Sequence, residues 1–106
     1  MVKPIKPQAF DIELEGESAP LLVAFLKRNE RFAFQAEVLE RAEQTFGDRV
    51  RCFLFNADYL DTAMERFAVK GTPTFILFDR GHEVGRLIGE SDSDTLDEFL
   101  RNSIAP

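Results

Sequence analysis

The sequence has a single cysteine, Cys52, among its 106 residues. One thiol cannot form a disulfide within the chain, and it cannot supply the cysteine pair of a CxxC redox or metal site. The neighbouring residues from Val50 to Phe55 indicate a buried strand, in which a cysteine usually behaves as a small apolar side chain. The alternative is a thiol that forms mixed disulfides or an intermolecular dimer.

Positive charge is also scarce, since 13 Lys and Arg face 19 Asp and Glu, for a net charge of −6. Such a chain repels the phosphate backbone, so we expect no nucleic-acid partner. No apolar run approaches the roughly 18 residues of a membrane span, and no apolar region follows Lys3 and Lys6 as in a signal peptide. We therefore expect a soluble, cytoplasmic protein without a membrane partner.

Residues for catalysis or metal binding are equally few. The only histidine, His82, lies in a predicted hairpin turn, far in sequence from any nucleophile. No triad or metal-ligand spacing is present, so we expect no catalytic residue, no metal and no cofactor. An enzyme of some other chemistry, built on the fold that this chain adopts, is a further alternative.

Phenylalanine, in contrast, is abundant, with 11 among a hydrophobic content of 44%. This composition is typical of a globular protein, and the length predicts a single domain over residues 1–106 with a core rich in phenylalanine.

The first half of the chain predicts an alternation of strands and helices. The apolar run Pro20–Leu26 is typical of a central strand that is covered on both faces. Apolar residues then recur at three- and four-residue steps from Phe32 to Phe46, which predicts an amphipathic helix that stops at Gly47. A strand follows around residues 50–57.

In the second half, a helical pattern from Leu60 to Phe67 has Asp58 or Asp61 as its expected N-cap. Two strands, residues 74–78 and 83–88, are joined by a short Gly-containing turn and form a hairpin. A final helix over residues 92–104 is expected to be capped by Ser91 or Ser93.

Near the N-terminus, Phe10, Ile12 and Leu14 fit either a helix or an edge strand, and the pattern does not decide between them. The order of elements predicts an α/β fold with helices on both faces of a mixed sheet, parallel at its centre and antiparallel at its end.

Six segments carry a resemblance to a known family: Leu22–Phe25, Val38–Ala42, Phe55–Asp58, Phe67–Thr74, Phe78–Gly81 and Arg86–Gly89. In them the sequence resembles the thioredoxin family over nearly its whole length. The resemblance implies a three-layer α/β/α sandwich with four to five strands, a C-terminal β-hairpin and a C-terminal helix. It also implies that Pro73 is cis and that the backbone of Thr72 pairs with an extended substrate segment.

The chain departs from the family where the family has its two redox cysteines. Depending on the register, those positions fall on Asn29 and Phe32 or on Glu30 and Ala33, and neither pair offers a thiol. Disulfide exchange requires a thiolate, so we expect no disulfide oxidoreductase activity at this place. The family's buried acid and its associated lysine are matched by Ala24 and Leu54, which are apolar.

The resemblance implies that the binding groove is retained without its chemistry. We therefore expect a redox-inactive protein- or peptide-binding module (an adaptor, chaperone-like or assembly factor), with redox participation through Cys52 as the alternative. We expect it as a monomer or a weak homodimer. The expected binding residues are Asn29, Glu30, Arg31, Phe32, Phe34, Thr72, Pro73, Ile88 and Gly89, with Glu90 beside them.

Two features of this groove leave alternatives open. Phe32 and Phe34 are two positions apart, so one helix face cannot bury both equally; either one is exposed as a binding anchor or both pack into the core. Lys27, Arg28 and Arg31 form a basic cluster, which favours an acidic partner segment or is simply a solvated loop.

Overall fold

A mixed sheet of five strands forms the centre of the structure, a computed structural model that describes residues 2–15 and 19–104. The strands are β1 (Lys3–Ile5), β2 (Leu21–Phe25), β3 (Arg51–Phe55), β4 (Thr74–Asp79) and β5 (His82–Ile88). The helices are α1 (Pro7–Glu15), α2 (Phe32–Phe46), α3 (Leu60–Arg66) and α4 (Ser93–Ser103), with short 3₁₀ turns at Gly47–Arg49 and Ala57–Tyr59. No helix of the described residues is long and apolar enough to cross a membrane.

Strand β2 occupies the middle of the sheet, whose order is β1-β3-β2-β4-β5. It pairs in parallel with β3 and antiparallel with β4. All five of its residues are buried, as its continuous apolar run predicts for a strand covered on both faces.

The two faces of the sheet carry separate apolar clusters. On one face, Leu22 and Ala24 of β2 pack with the buried residues of α2 and α4. On the other, Leu21, Val23 and Phe25 pack with residues of α1 and α3. The predicted three-layer α/β/α fold, with its C-terminal hairpin and helix, is thereby confirmed.

Phenylalanine rings dominate the face under α1 and α3. Phe10 lies at the centre of this group, with ring centroids 5.6 Å from Phe55, 5.2 Å from Phe67 and 5.4 Å from Phe78. Its contacts decide the conformation that the sequence pattern left open: the segment with Phe10, Ile12 and Leu14 is a helix. Phe10 is completely buried, whereas Ile12 is 72% exposed.

Glycines lie at two places where the sequence predicts a turn or a helix end. The turn between β4 and β5 consists of Arg80 and Gly81, with φ values of 53° and 83°. Positive φ at both central positions is the geometry that closes two-residue hairpins, and glycine adopts it without steric cost. Helix α2 ends at Phe46 with Gly47 as its C-cap, as the sequence predicts.

The predicted N-caps of the last two helices are wrong. Helix α3 has Tyr59 as its N-cap without a side-chain bond, because the chain enters it through a 3₁₀ turn. The Oδ1 atom of Asn56 accepts the N–H of Asp58 at 2.9 Å, so Asp58 lies inside that turn, and Asp61 lies in the first turn of the helix.

Helix α4 is capped by Asp92 instead of Ser91 or Ser93. The Oδ1 atom of Asp92 accepts the N–H of Thr95 at 2.8 Å. This hydrogen bond lowers the pKa of the Asp92 carboxyl below its ordinary value. Ser93 is the first residue of the helix, and Ser91 is buried and forms backbone hydrogen bonds with the side chain of Gln35.

We predict that Phe10→Ala lowers the free energy of unfolding by about 3–5 kcal/mol, because it empties the centre of the ring cluster. Ile12→Ala in the same helix is the matched control, and it should change stability by about 0.5 kcal/mol or less, because Ile12 is exposed. Urea denaturation followed by circular dichroism measures both. Equal losses in the two variants would contradict the docking of α1 through Phe10.

Candidate functional site

A small pocket of about 90 Å³ lies where the start of α2, the loop before β4 and the loop after β5 meet. The Thr72–Pro73 peptide bond beside it is cis. The pocket is lined by Leu26, Lys27, Asn29, Arg31, Phe32, Gln35, Thr72, Pro73 and Glu90.

The register of the sheet brings these loops together. Phe25, the last residue of β2, pairs with Thr74, the first residue of β4. Thr74 in turn pairs with Ile88, the last residue of β5. The loop after β2, the loop before β4 and the loop after β5 therefore lie at the same end of the strands.

The loop from β2 into α2 is folded by Asn29. Its Oδ1 atom accepts the backbone N–H of Arg31 at 3.0 Å, and its C=O accepts the N–H of Phe32 at 3.1 Å. Such side-chain contacts to the backbone two residues on are typical of asparagine in turns. Arg31 is the N-cap residue of α2, and no side-chain hydrogen bond caps the helix there.

Gln35 and Ser91 clamp α2 to the loop that follows β5. The side chain of Gln35 donates from Nε2 to the C=O of Ser91 at 3.1 Å and accepts the Ser91 N–H at Oε1 at 3.2 Å. Both residues are buried, so the two hydrogen bonds satisfy groups that would otherwise lose their water partners. The sequence does not indicate this clamp, because its partners are 56 positions apart and neither carries a charge.

Arg31 bridges the mouth of the pocket. Its Nε and Nη2 atoms lie 2.8 and 2.7 Å from Oε1 of Glu90. The guanidinium also lies over the ring of Phe34, 4.9 Å from its centroid, at a distance that suits a cation–π contact. Arg31 thus links the first turn of α2 to the loop after β5.

The two phenylalanines of α2 point to different places. Phe32 is partly buried and lines the pocket, with the Arg28 guanidinium 5.1 Å from its ring centroid. Phe34 is 43% exposed and lies outside the pocket, in a shallow groove that Asp92 and Asp94 also line. Of the two alternatives left open by the sequence, exposure of one phenylalanine is what the structure has, and that residue is Phe34.

The structure thus gathers five of the expected binding residues around the pocket: Asn29, Arg31, Phe32, Thr72 and Pro73. Gly89 adjoins them, since its N–H donates to the C=O of Pro73 at 2.9 Å. Ile88 precedes Gly89 at the end of β5 and is 72% exposed. Glu30 is exposed, and neither it nor Phe34 lines the pocket.

The positions that match the family's buried acid and lysine are direct neighbours. Ala24 of β2 and Leu54 of β3 are paired in register, and both pack in the apolar cluster under α2. Neither can hold or move a proton. Within residues 2–15 and 19–104, no group of three His, Cys, Asp or Glu residues is placed to ligate a metal ion.

Cys52 lies inside the sheet, in register with Leu22 of β2. Its side chain is 3% exposed. Burial, reinforced by the negative charge of Glu43, raises the pKa of the thiol to about 12. A thiol with this pKa is almost entirely protonated near neutral pH, so it is a poor nucleophile.

Comparison with known proteins gives two findings. The family model described as Thioredoxin matches residues 1–102 of this chain. Among curated proteins, a thioredoxin of Acidithiobacillus ferridurans is 26% identical over 101 residues, which covers 94% of this chain and 94% of that protein.

We predict that Cys52 in the native protein does not react with a thiol reagent such as DTNB. At about pH 8 only about one such thiol in ten thousand is ionised, and the apolar cluster under α2 buries it. Absorbance should report about one thiol per chain in denaturant and almost none without it. Complete labelling of the native protein within minutes would show that Cys52 is accessible and would contradict this prediction.

Proposed function

The chain belongs to the thioredoxin family, and on that premise we propose that it binds an extended protein segment at this pocket without exchanging disulfides there. In this role it acts as an adaptor, a chaperone-like protein or an assembly factor. The observation that carries the proposal is the free backbone of Thr72, beside cis-Pro73 on the wall of the pocket.

Thr72 offers both a hydrogen-bond donor and an acceptor. Among the described residues, neither its N–H nor its C=O has a hydrogen-bond partner, although its neighbours are tied down. Pro73 accepts from Gly89, and the hydroxyl of Thr74 donates to the C=O of Gly71 at 2.8 Å. An extended segment can therefore pair with Thr72 in the manner of an added strand, without breaking a bond of the protein.

Ile88 supplies an apolar contact beside that backbone. It is among the most exposed large apolar side chains of the described residues, and it lies directly before Gly89. A single exposed apolar residue needs no explanation by itself, but at the rim of a pocket with unpaired backbone groups it is a suitable anchor. The pocket walls add Leu26, Phe32 and Pro73.

The residue types at the start of α2 support the proposed absence of disulfide exchange there. Thiol–disulfide exchange begins with attack of a thiolate on sulfur. Asn29, Glu30, Phe32 and Ala33 have no sulfur, in either register. Redox participation through Cys52 is not favoured, because its buried, protonated thiol lies within the sheet.

We predict that the protein does not accelerate the reduction of insulin by dithiothreitol. The turbidity of precipitating insulin chains should develop at the rate of the uncatalysed reaction, because no thiolate is available at the start of α2. Cys52→Ala should give the same trace as the wild type. A faster reaction that Cys52→Ala abolishes would contradict this prediction and would establish redox participation through Cys52.

We predict that the wild type selects binders from a library of random heptapeptides displayed on phage, and that Ile88→Asp weakens their binding about tenfold or more. Burial of an isoleucine side chain contributes free energy of this size, and aspartate loses it. Isothermal titration calorimetry with the selected peptides, made synthetically, measures the difference.

Ile12→Asp is the matched control for this experiment. Ile12 and Ile88 are both 72% exposed, so the two substitutions should cost similarly little in folding. Ile12 lies on α1, whose helix packs on the face of the sheet opposite α2, and its substitution should leave peptide affinity unchanged. Equal effects of the two variants, or no selection of peptides by the wild type, would contradict the proposal.

A further inference from the structure

The charges that line the pocket do not balance. Its lining includes two basic residues, Lys27 and Arg31, and one acidic residue, Glu90. Among the described residues the ammonium group of Lys27 has no ion-pair partner, whereas Arg31 is paired with Glu90. The surplus is positive on a chain whose net charge is −6, so the pocket differs in sign from the protein as a whole.

The ion pair between Arg31 and Glu90 is one in which another carboxylate can readily replace that of Glu90. Both short contacts from the guanidinium end on the same oxygen, Oε1, so the fork of Arg31 does not hold both carboxylate oxygens. The side chains are 55% and 46% exposed. Ion pairs at such exposure contribute little to stability, so another carboxylate can replace Glu90 at little cost.

Arg31 would stay in position after such an exchange. Its guanidinium rests on the ring of Phe34, and its backbone N–H donates to the side chain of Asn29. The loop that carries Glu90 is fixed independently, since the clamp between Gln35 and Ser91 holds the residue next to it. The cation is thus presented by contacts that do not depend on Glu90.

The pocket suits the remainder of an acidic side chain. Its volume of about 90 Å³ is several times the least that a single water molecule needs, so it has room for a small side-chain group. Leu26, Phe32 and Pro73 give it apolar walls that fit a short methylene stem, while Lys27 and Arg31 lie on the same lining.

From these contacts we propose that the segment bound here carries an acidic side chain, which lies between Lys27 and Arg31 and displaces Glu90 from Arg31. The proposal rests on the proposed function and names the partner: an extended segment with a glutamate or aspartate beside the part that pairs with Thr72. Glu90 then competes with the carboxylate of the bound segment for Arg31. It lowers the affinity for acidic segments and leaves the affinity for neutral segments unchanged.

The test repeats the selection from the random heptapeptide library on phage with the wild type, Arg31→Gln and Glu90→Gln. Peptides selected by the wild type should be enriched in Glu or Asp at one position, and Arg31→Gln should abolish the enrichment. For a selected peptide, Glu90→Gln should bind about two- to fivefold more tightly than the wild type, as expected for the loss of a competing exposed ion pair. Replacing the enriched acid of the peptide by its amide should remove this gain.

Glu37→Gln is the matched control. Glu37 forms an exposed ion pair with Arg41 on the same helix, at 2.9 Å, and it does not line the pocket. Its substitution changes the net charge by the same amount as Glu90→Gln. It should leave the affinity for the selected peptide nearly unchanged, because salt screens the long-range effect of an exposed charge.

The outcomes separate this inference from the proposed function. Peptides that depend on Ile88 but show no acidic enrichment would overturn the inference and leave the binding function standing. Equal or weaker binding by Glu90→Gln would also overturn it, and so would a gain of the same size in Glu37→Gln. If no peptide binds, both proposals fail.

Discussion

The pairing of β2 with its two neighbours is the constraint on which the rest of the structure depends. β2 is buried on both faces, so its backbone groups have no water and must find partners on both edges. β3 and β4 supply those partners, one in parallel and one antiparallel. The apolar side chains of β2 then alternate between the two clusters, and α2 and α4 cover one face while α1 and α3 cover the other.

The same pairing places the candidate site. Because β2 and β4 are antiparallel, the residue that ends one strand faces the residue that begins the other, Phe25 and Thr74. The loop from β2 into α2 therefore lies beside the loop that contains Thr72 and Pro73. The hairpin adds the loop after β5 at the same end of the strands, and the contacts of Gln35 and Arg31 fasten that loop to α2. The pocket is a consequence of register, and the residues around it decide what it can bind.

Much of this arrangement is predictable from the sequence, because the elements with strong patterns depend on local signals. The bounds of α2 and the hairpin follow from periodicity and from glycine at positions that require it. The edge strand β1 gives no such signal, since it has three residues, includes Pro4 and buries only Ile5. A proline is compatible with an edge strand, yet it makes such a segment look like a loop.

The contacts at the site that the sequence does not predict have a different origin. Through the family resemblance the sequence indicates many of the residues of the pocket, although not Leu26 or Gln35, and it does not indicate which side chains meet across it. Gln35 and Ser91 are separated by 56 positions, and Arg31 and Glu90 by 59. Contacts of this kind depend on how loops approach one another, and several polar residues on the same loops would have been equally plausible partners. The N-cap predictions are wrong for a related reason. Asp92 is one of several residues of similar capping propensity before α4, and loop geometry selects it, whereas the chain enters α3 through a 3₁₀ turn and its N-cap residue, Tyr59, makes no side-chain bond.

The polar groups of the domain differ between its interior and its pocket. Beneath α2, the register neighbours Ala24 and Leu54 are apolar, and a pair of charged groups there would have to overcome a desolvation cost. Among the described residues, every buried side-chain nitrogen and oxygen has a hydrogen-bond partner. At the pocket, in contrast, the backbone of Thr72 and the side chain of Lys27 are unpaired within the part of the chain that the structure describes, and the side chain of Arg31 is held by an exposed carboxylate. A ligand can therefore form hydrogen bonds and ion pairs with this domain without disturbing any buried contact of the core.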